Sequence, residues 1–498
     1  MFLMLSQKKS EKLHKNGEIS IYLSLIFMLF ISLVVSAVGA ARYAAIQTLF
    51  ECATESALCS VFGEYNRELL ERYDVFFIDM SYLSNSPDPM NLEARINSYF
   101  ADNLHPEDGT NLLFYSDIAD VTGSNASITG YELATDYNGT PFVNEAVDYM
   151  KNLVGIQDAE RIADLLTVFD SYDISEERFE ETEENTISEI DGIETDSWEQ
   201  TKIKEGIKML ILPDIDYFGL LGKNLYSLSY ESINVSDSLT LRKKEKGYGF
   251  EKDEEKELLD RIYFTEYIMS KFGTFITPVE NTKLRYEAEY ILIGMGSDYY
   301  DLREILNCIN SYRIVEDLIS LNLAKDKMDV IHSVAKPIAA ALKVPEIVIS
   351  EFIALIWATA EAKADMWLLL DGKKVPIIKK SDGFIISADG LVSFMGEMIE
   401  KESEIGDELP PSADESDNVT IPEIEIGYND YMRLFLAQVS PSLRAYRVMD
   451  LIEQNLRYCG SGENMYFRFD ACVSRIRVKL TCESGYGYVY TTEKEYGF

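Results

Sequence analysis

The sequence predicts an α+β protein. An N-terminal transmembrane helix runs on into a long helix, and a mostly helical ectodomain comes after it, with small antiparallel β elements that include a C-terminal hairpin. Three observations carry this. Residues 19–41, ISIYLSLIFMLFISLVVSAVGAA, hold no charged side chain over 23 positions; as a helix they would span roughly 34 Å, enough for a hydrocarbon core of about 30 Å. Apolar residues recur at three- and four-residue steps through much of the second half, as a helix with one buried face requires. Near the C-terminus Arg475, Arg477 and Lys479 alternate with Ile476, Val478 and Leu480, the period of a strand with one buried face.

The elements run in order from the N-terminus. Lys8, Lys9, Lys12 and Lys15 precede the apolar stretch, so the positive-inside rule keeps residues 1–18 in the cytosol and exports the chain beyond Arg42. A cleaved signal would have a shorter apolar region, and Ser36–Ala40 matches a cleavage site only loosely. A prepilin-type leader cut after Gly17 would put Tyr22 where such pilins carry glutamate. Helical character continues from Arg42 to Arg72, which contains no proline, giving one helix of about fifty residues from the membrane outwards. Leu49, Cys52, Ser56, Cys59 and Gly63 form a stripe of mostly small side chains suited to close packing on the ectodomain. Tyr73–Asp79 reads as a short buried strand, Asn91–Leu104 as a helix, and Ile118–Thr135 as one or two strands. Pro141 opens a helix carrying Phe142, Ala146, Tyr149 and Met150.

Residues 170–200 hold 13 acidic residues and one basic residue, which reads as a solvated helical arm or flexible insert. Leu210–Leu221 suggests a buried segment and Leu241–Gly249 a loop. Leu284–Ile293 alternates like a strand, with Gly294 as its stop. Helical spacing returns at Leu302–Ile319 and Ile331–Leu342. Pro345 then opens a helix from Glu346 to Leu370, stopped by Gly372 and apolar nearly all round, so it should form the centre of a helical domain. Residues 401–424 form a Pro/Ser/acid linker or long loop. Helices at Asn429–Val439 and Ser442–Arg457 lead into the C-terminal hairpin. The resulting organisation is a cytosolic tail (1–18), a membrane helix (19–41), a membrane-proximal α+β region (42–169), an acidic insert (170–250), a helical core (251–400), the linker (401–424), and a final region of helices plus hairpin (425–498).

The formal net charge is −39, and residues 1–42 are net basic, so the acidity lies entirely beyond Arg42. Such a surface repels nucleic acid and anionic headgroups. The six cysteines include no C-x-x-C pair, and their spacings suit free thiols better than a disulfide scaffold or metal site. Nucleotide-binding, zinc-protease and nucleophile-elbow motifs are absent from the sequence. Glu361 and Asp365, four apart on the apolar helix, could form a general acid/base pair; the alternative is a buried ion-pair cluster with a cation such as Arg303, Arg313 or Lys373, and the latter reading is preferred. No catalytic, cofactor-binding or metal-binding residue is predicted. The basic segment DGKKVPIIKK, residues 371–380, could dock acidic parts of the same chain. Within the membrane, Ser32, Ser36, Gly39 and Ala40 offer a small-residue face for another helix.

The motifs GEISIYLSL, AAR, ECATESAL and NRELLERYDVFFID at the N-terminus, with YEAEYILIG, IWATAEAKAD, DGKKVPIIK and DLIEQNLR further on, resemble a family of uncharacterised membrane proteins from Clostridia and related Firmicutes. At the N-terminus the chain is also similar to TadE/TadG-like pseudopilins of tight-adherence pilus systems. The resemblance covers nearly all of the chain except its acidic middle and brings no catalytic residues. It implies a non-enzymatic, single-pass extracytoplasmic component of a type IV pilus-like or type II secretion-like machine, with the lipid bilayer and pseudopilin or secretion-platform proteins as partners. A tethered ectoenzyme using carboxylates, or an adhesin or sensor ectodomain, are the alternatives.

Overall fold

A computed structural model describes residues 2–82, 86–104, 120–153, 156–211, 228–252, 258–387, 390–391 and 424–498. All but the last residue of the expected linker at 401–424, all but the first two residues of the Leu210–Leu221 segment, and His105 lie outside the described residues. The molecule is α+β and mostly helical, with small antiparallel sheets and a C-terminal hairpin.

Helix α1 (Phe2–Phe62) is unbroken through and beyond the apolar stretch. It stops four residues short of Asn66, which caps α2 (Arg67–Tyr73) by accepting the Leu69 N–H at 3.1 Å. The continuous helix expected to Arg72 therefore breaks at Gly63–Asn66, where a side-chain cap competes with the helix ladder. Of the expected strand at Tyr73–Asp79 only β1 (Ile78–Asp79) pairs; Asp74, at φ 52°, ends α2 instead. Next come α3 (Pro89–Leu104), β2 (Val121–Leu133) and α4 (Asp136–Leu153). Pro141 sits just inside regular helix, because Tyr137, Asn138 and Gly139 are all left-handed.

The main sheet is antiparallel throughout. The long strand β5 (Cys472–Ser484) lies at its centre. It pairs with β2 along one edge and with β1 and β6 (Val489–Gly497) along the other. Residues near the two ends of the sequence thus form one sheet. Its apolar face carries Ile476, Val478, Leu480 and Cys482 against Phe50, Ala57 and Val61 of α1 and Ile96 and Phe100 of α3.

The helical part contains α5 (Ile156–Tyr172), α6 (Glu176–Asp191), α7 (Trp198–Ile211), α8 (Leu258–Lys271), α9 (Glu287–Ile293), α10 (Asp298–Leu323), α11 (Lys325–Leu342) and α12 (Glu346–Leu370). A two-stranded sheet of β3 (Lys374–Pro376) and β4 (Glu425–Gly427) comes next, then α13 (Tyr428–Gln438) and α14 (Pro441–Cys459). Helix α12 spans the predicted residues and buries Phe352, Ile353, Ile356 and Trp357 among α10, α11 and α6. The acidic stretch is not a free arm. Ser175 caps α6, and Phe179, Ile187 and Ile190 seat it on α10 and α12 while its carboxylates face outwards.

Leu284–Ile293 is the clearest departure from expectation: helix α9 rather than a strand. The alternation comes from Arg285, Glu287 and Glu289 at every second position. The two glutamates are fully buried. Glu287 accepts the Gly273 N–H at 3.2 Å and Asn455 Nδ2 at 2.6 Å; Glu289 accepts the Phe275 N–H at 2.8 Å and Tyr428 Oη at 2.7 Å. Gly294, at φ 84°, closes the helix.

Candidate functional site

Two regions gather the residues that the sequence singles out. The first is a charge cluster between α10, α12 and the segment after β3. Arg313 on α10 lies one turn before Glu316 and Asp317, so all three share a helix face. Its Nη1 donates to Glu316 and, at 3.0 Å, to the Pro376 carbonyl; its Nη2 donates to Asp365 and, at 3.2 Å, to Asp317. Lys379 Nζ lies 2.6 Å from Glu361, 2.6 Å from Asp365 and 3.1 Å from Asp317. Glu361 also accepts the N–H groups of Ile385 at 2.7 Å and Ile386 at 2.8 Å, and Tyr431 Oη donates to Glu316 at 2.9 Å. All six charged groups are buried.

Of the residues grouped from sequence, Arg313, Glu361 and Asp365 meet here. Lys373 and Arg303 do not. Lys373 is exposed, 3.0 Å from Asp371, and Arg303 sits on the surface 2.9 Å from Glu304. Lys379 takes the place assigned to Lys373. Gly372, at φ 77°, turns the chain outwards at Lys373, and β3 brings it back over α10 so that Lys379 points inwards. The basic segment does dock acidic groups of its own chain, through the buried Lys379 and, at the surface, through Lys374, 4.0 Å from Asp430. Glu361 and Asp365 have no exposed surface on which to meet a substrate, and each is held by a cation.

Two cations against four carboxylates would leave excess negative charge in a dry interior. Protons relieve it. Burial lifts Glu316 to about 7, against the pull of Arg313, and holds Asp317 well above the usual carboxylate range. The three nearest carboxylates keep Arg313 firmly protonated despite the cost of burying it.

The second region is where α1 leaves its apolar stretch. Ser32, Ser36 and Ala40 are exposed, Gly39 is half-buried, and nothing lies within 4 Å of where a Gly39 Cβ would stand. Further along, Ile46, Phe50, Ala53, Ala57, Leu58 and Val61 are buried against the sheet. Of the stripe expected to pack there only Leu49 does, partly buried against the cluster; Cys52, Ser56, Cys59 and Gly63 are exposed. Eleven residues make three helical turns to within about 20°, so Gly39 lies in line with Phe50 rather than with the cysteine stripe. Strand β6 runs alongside α1 in the same direction. Tyr43 contacts Tyr488 and Tyr490 with ring centroids 5.4 and 5.2 Å apart, Lys494 lies 3.2 Å from Glu55, and Tyr496 packs on Phe62 at 4.9 Å. The hairpin turn therefore reaches the end of the apolar stretch, where Arg42 lies 4.0 Å from the centroid of the Tyr486 ring.

All six cysteines are free. Among the described residues no group of three or more His, Cys, Asp or Glu side chains is placed to hold a metal ion. His332, on α11, lies 3.4 Å from Glu346 and 3.2 Å from Ser350. A family model described as a family of unknown function (DUF5702) matches residues 196–484, from just before α7 to the end of β5. No curated protein and no solved structure matches the chain.

The charge cluster generates two predictions. Replacing Lys379 with methionine leaves Glu361 without a cation and Asp365 with Arg313 alone, and should cost about 3–5 kcal/mol, whereas Lys373→Ala should stay within about 0.5 kcal/mol; chemical denaturation of the full-length protein in nanodiscs compares them. The second concerns pH. Burial raises Glu287, Glu289, Glu316 and Asp450 each to about 7. Between their ordinary values and 7 the folded chain binds more protons than the unfolded chain, so stability falls as pH rises. The melting temperature should therefore drop from pH 5 to pH 7.5; a rise over that range would contradict these protonation states.

Proposed function

The chain belongs to this family of unknown function, DUF5702, and from that premise we propose that it is a single-pass, extracytoplasmic assembly component of a Tad or type IV pilus-like, or type II secretion-like, machine. In this reading residues 1–18 stay in the cytosol, Ile19–Ala41 cross the cell membrane, and the rest stands outside as a structural rather than catalytic body. One observation carries the proposal most. Helix α1 is long and apolar enough to cross a membrane at one end, and without a break it becomes part of the ectodomain core at the other. A tether for an enzyme needs no such continuity. A part that transmits position or force from bilayer to ectodomain does.

The lysines before Ile19 and the acidity beyond Arg42 support the orientation. Tyr43, Tyr486 and Tyr488 gather where the apolar stretch ends, the depth at which aromatic side chains favour the bilayer interface. The N-terminal resemblance to TadE/TadG-like pseudopilins supports the choice of machine. Ser32, Ser36 and Gly39 lie on the side of α1 that carries the ectodomain, so a partner helix would approach beneath it.

Cysteines placed at Ser32, Ser36 and Gly39 in the native host, after removal of exposed Cys52 and Cys59, test the proposal. Crosslinking should capture a second membrane protein, and Ser36→Leu with Gly39→Leu should abolish the capture while leaving insertion intact. Proper insertion with no crosslinked partner at any of the three positions would reduce α1 to an anchor.

A further inference from the structure

A cavity of about 400 Å³ opens between α4, α8 and the N-terminus of α14. The two arginines in its lining, Arg261 and Arg444, have no carboxylate partner among the described residues, although the chain is strongly acidic. Arg444 is fully buried. Its Nη1 donates to Thr265 Oγ1 at 2.8 Å, and its guanidinium carbon lies 5.4 Å from the Phe264 ring centroid. Its Nε and Nη2 have no hydrogen-bond partner among the described residues. These two form one side of the guanidinium fork, the edge that grips an oxyanion through two parallel hydrogen bonds. Arg261 Nε is unpartnered as well, while its Nη2 reaches the Ala437 carbonyl at 3.4 Å. Asp260, also on the wall, is 2.6 Å from Lys151. Asn144 contributes a buried Oδ1 without a partner.

Other arginines drawn into the interior are treated differently. Fully buried Arg313 is held by three carboxylates, and partly buried Arg242 by Glu453 and Asp470. An unpaired buried charge is costly, so a site that keeps one has a use for it or a ligand that offsets it. Helix α14 adds positive potential. No side chain caps its N-terminus at Ser440, and its first position is Pro441. Burial, and then the charge of Arg261, pulls Arg444 down to about 10, so Arg444 stays positively charged at neutral pH.

We propose that this cavity binds a small phosphate-bearing ligand, gripped by Arg444 and Arg261 and met by the uncapped N-terminus of α14. The lining residues Arg444, Arg261 and Lys252 stand against one carboxylate, Asp260, so the excess of two positive charges matches a phosphate monoester dianion; a carboxylate would leave one of them uncompensated. The volume leaves room for a small organic group beside the phosphate, and Asn144 with the hydroxyls of Thr140 and Ser442 would meet its polar atoms.

The test uses the full-length protein in phosphatidylcholine nanodiscs. Glycerol 3-phosphate and inorganic phosphate should each raise the melting temperature saturably, while acetate and chloride at equal ionic strength should not. Arg444→Met should lose the phosphate shift, and without phosphate it should melt no lower than the parent, since an unpaired buried charge has gone. Arg261→Gln, at a half-buried position, should weaken glycerol 3-phosphate binding about tenfold by calorimetry; it decides the matter if Arg444→Met fails to fold. Competition by nanodiscs containing phosphatidic acid would mark the ligand as a lipid headgroup, and lack of competition would mark it as a free phosphate ester. A shift shared by acetate and chloride, or binding undiminished in Arg261→Gln, would overturn the proposal.

Discussion

The structure depends on the seating of α1. Its apolar half is left uncovered by the described residues, whereas its distal half gives Ile46, Phe50, Ala57, Val61 and Phe62 to the core under the main sheet. At roughly 25 cal/mol per Å² of apolar surface removed from water, those side chains alone hold the helix firmly to the sheet. Strand β6 then runs beside α1, fixed by Tyr490, Lys494 and Tyr496. Because β6 pairs with β5, and β5 with β2, the direction of α1 sets the direction of the sheet. A helix that crosses a bilayer would thereby orient the ectodomain.

The second constraint is excess acid. The chain meets part of it by turning carboxylates inwards as acceptors for loop N–H groups. Asp298 receives those of Arg285 and Tyr286, each at 3.0 Å; Asp301 receives those of Met295 at 2.8 Å and Ser297 at 2.9 Å; and Asp450 receives that of Leu239 at 2.6 Å. Each satisfies backbone donors that a loop would otherwise bury unpaired. The cost is desolvation, which keeps Asp301 partly protonated up to about 6 and Asp450 to about 7. Around Arg313 and Lys379 the same principle joins α10, α12 and α13 through one network. Against this background Arg261 and Arg444, set together on one cavity wall without a carboxylate on either, stand out chemically.

Much of the architecture was legible in the sequence, for physical reasons. Helix α12 was bounded by Pro345 and Gly372, and the three-to-four periodicity of α10 and α11 reflects burial on one face. Strand β5 alternates because α1 and α3 cover only one side of the sheet. What escaped depends on tertiary packing. Glu287 and Glu289 mimic a solvent-facing row until Asn455 and Tyr428 are seen to bury them. The choice of Lys379 over Lys373 turns on the direction the chain takes after Gly372. The cysteine stripe and the Phe50 face of α1 both recur at helical spacing, and composition does not say which meets the sheet. Nothing in the local sequence marks Arg261 and Arg444, because what sets them apart is the absence of a partner brought from elsewhere.

The central claim of the proposed function is that α1 is one rigid strut from the bilayer to the core under the main sheet. Amide hydrogen exchange on the full-length protein in nanodiscs, resolved over residues 36–62, addresses it directly. The account predicts slow exchange across the whole stretch, in the lipid and on the sheet alike, with no gap around Arg42–Ile46. A fast-exchanging break there, between a protected span and a protected core, would show a hinged tether and contradict it.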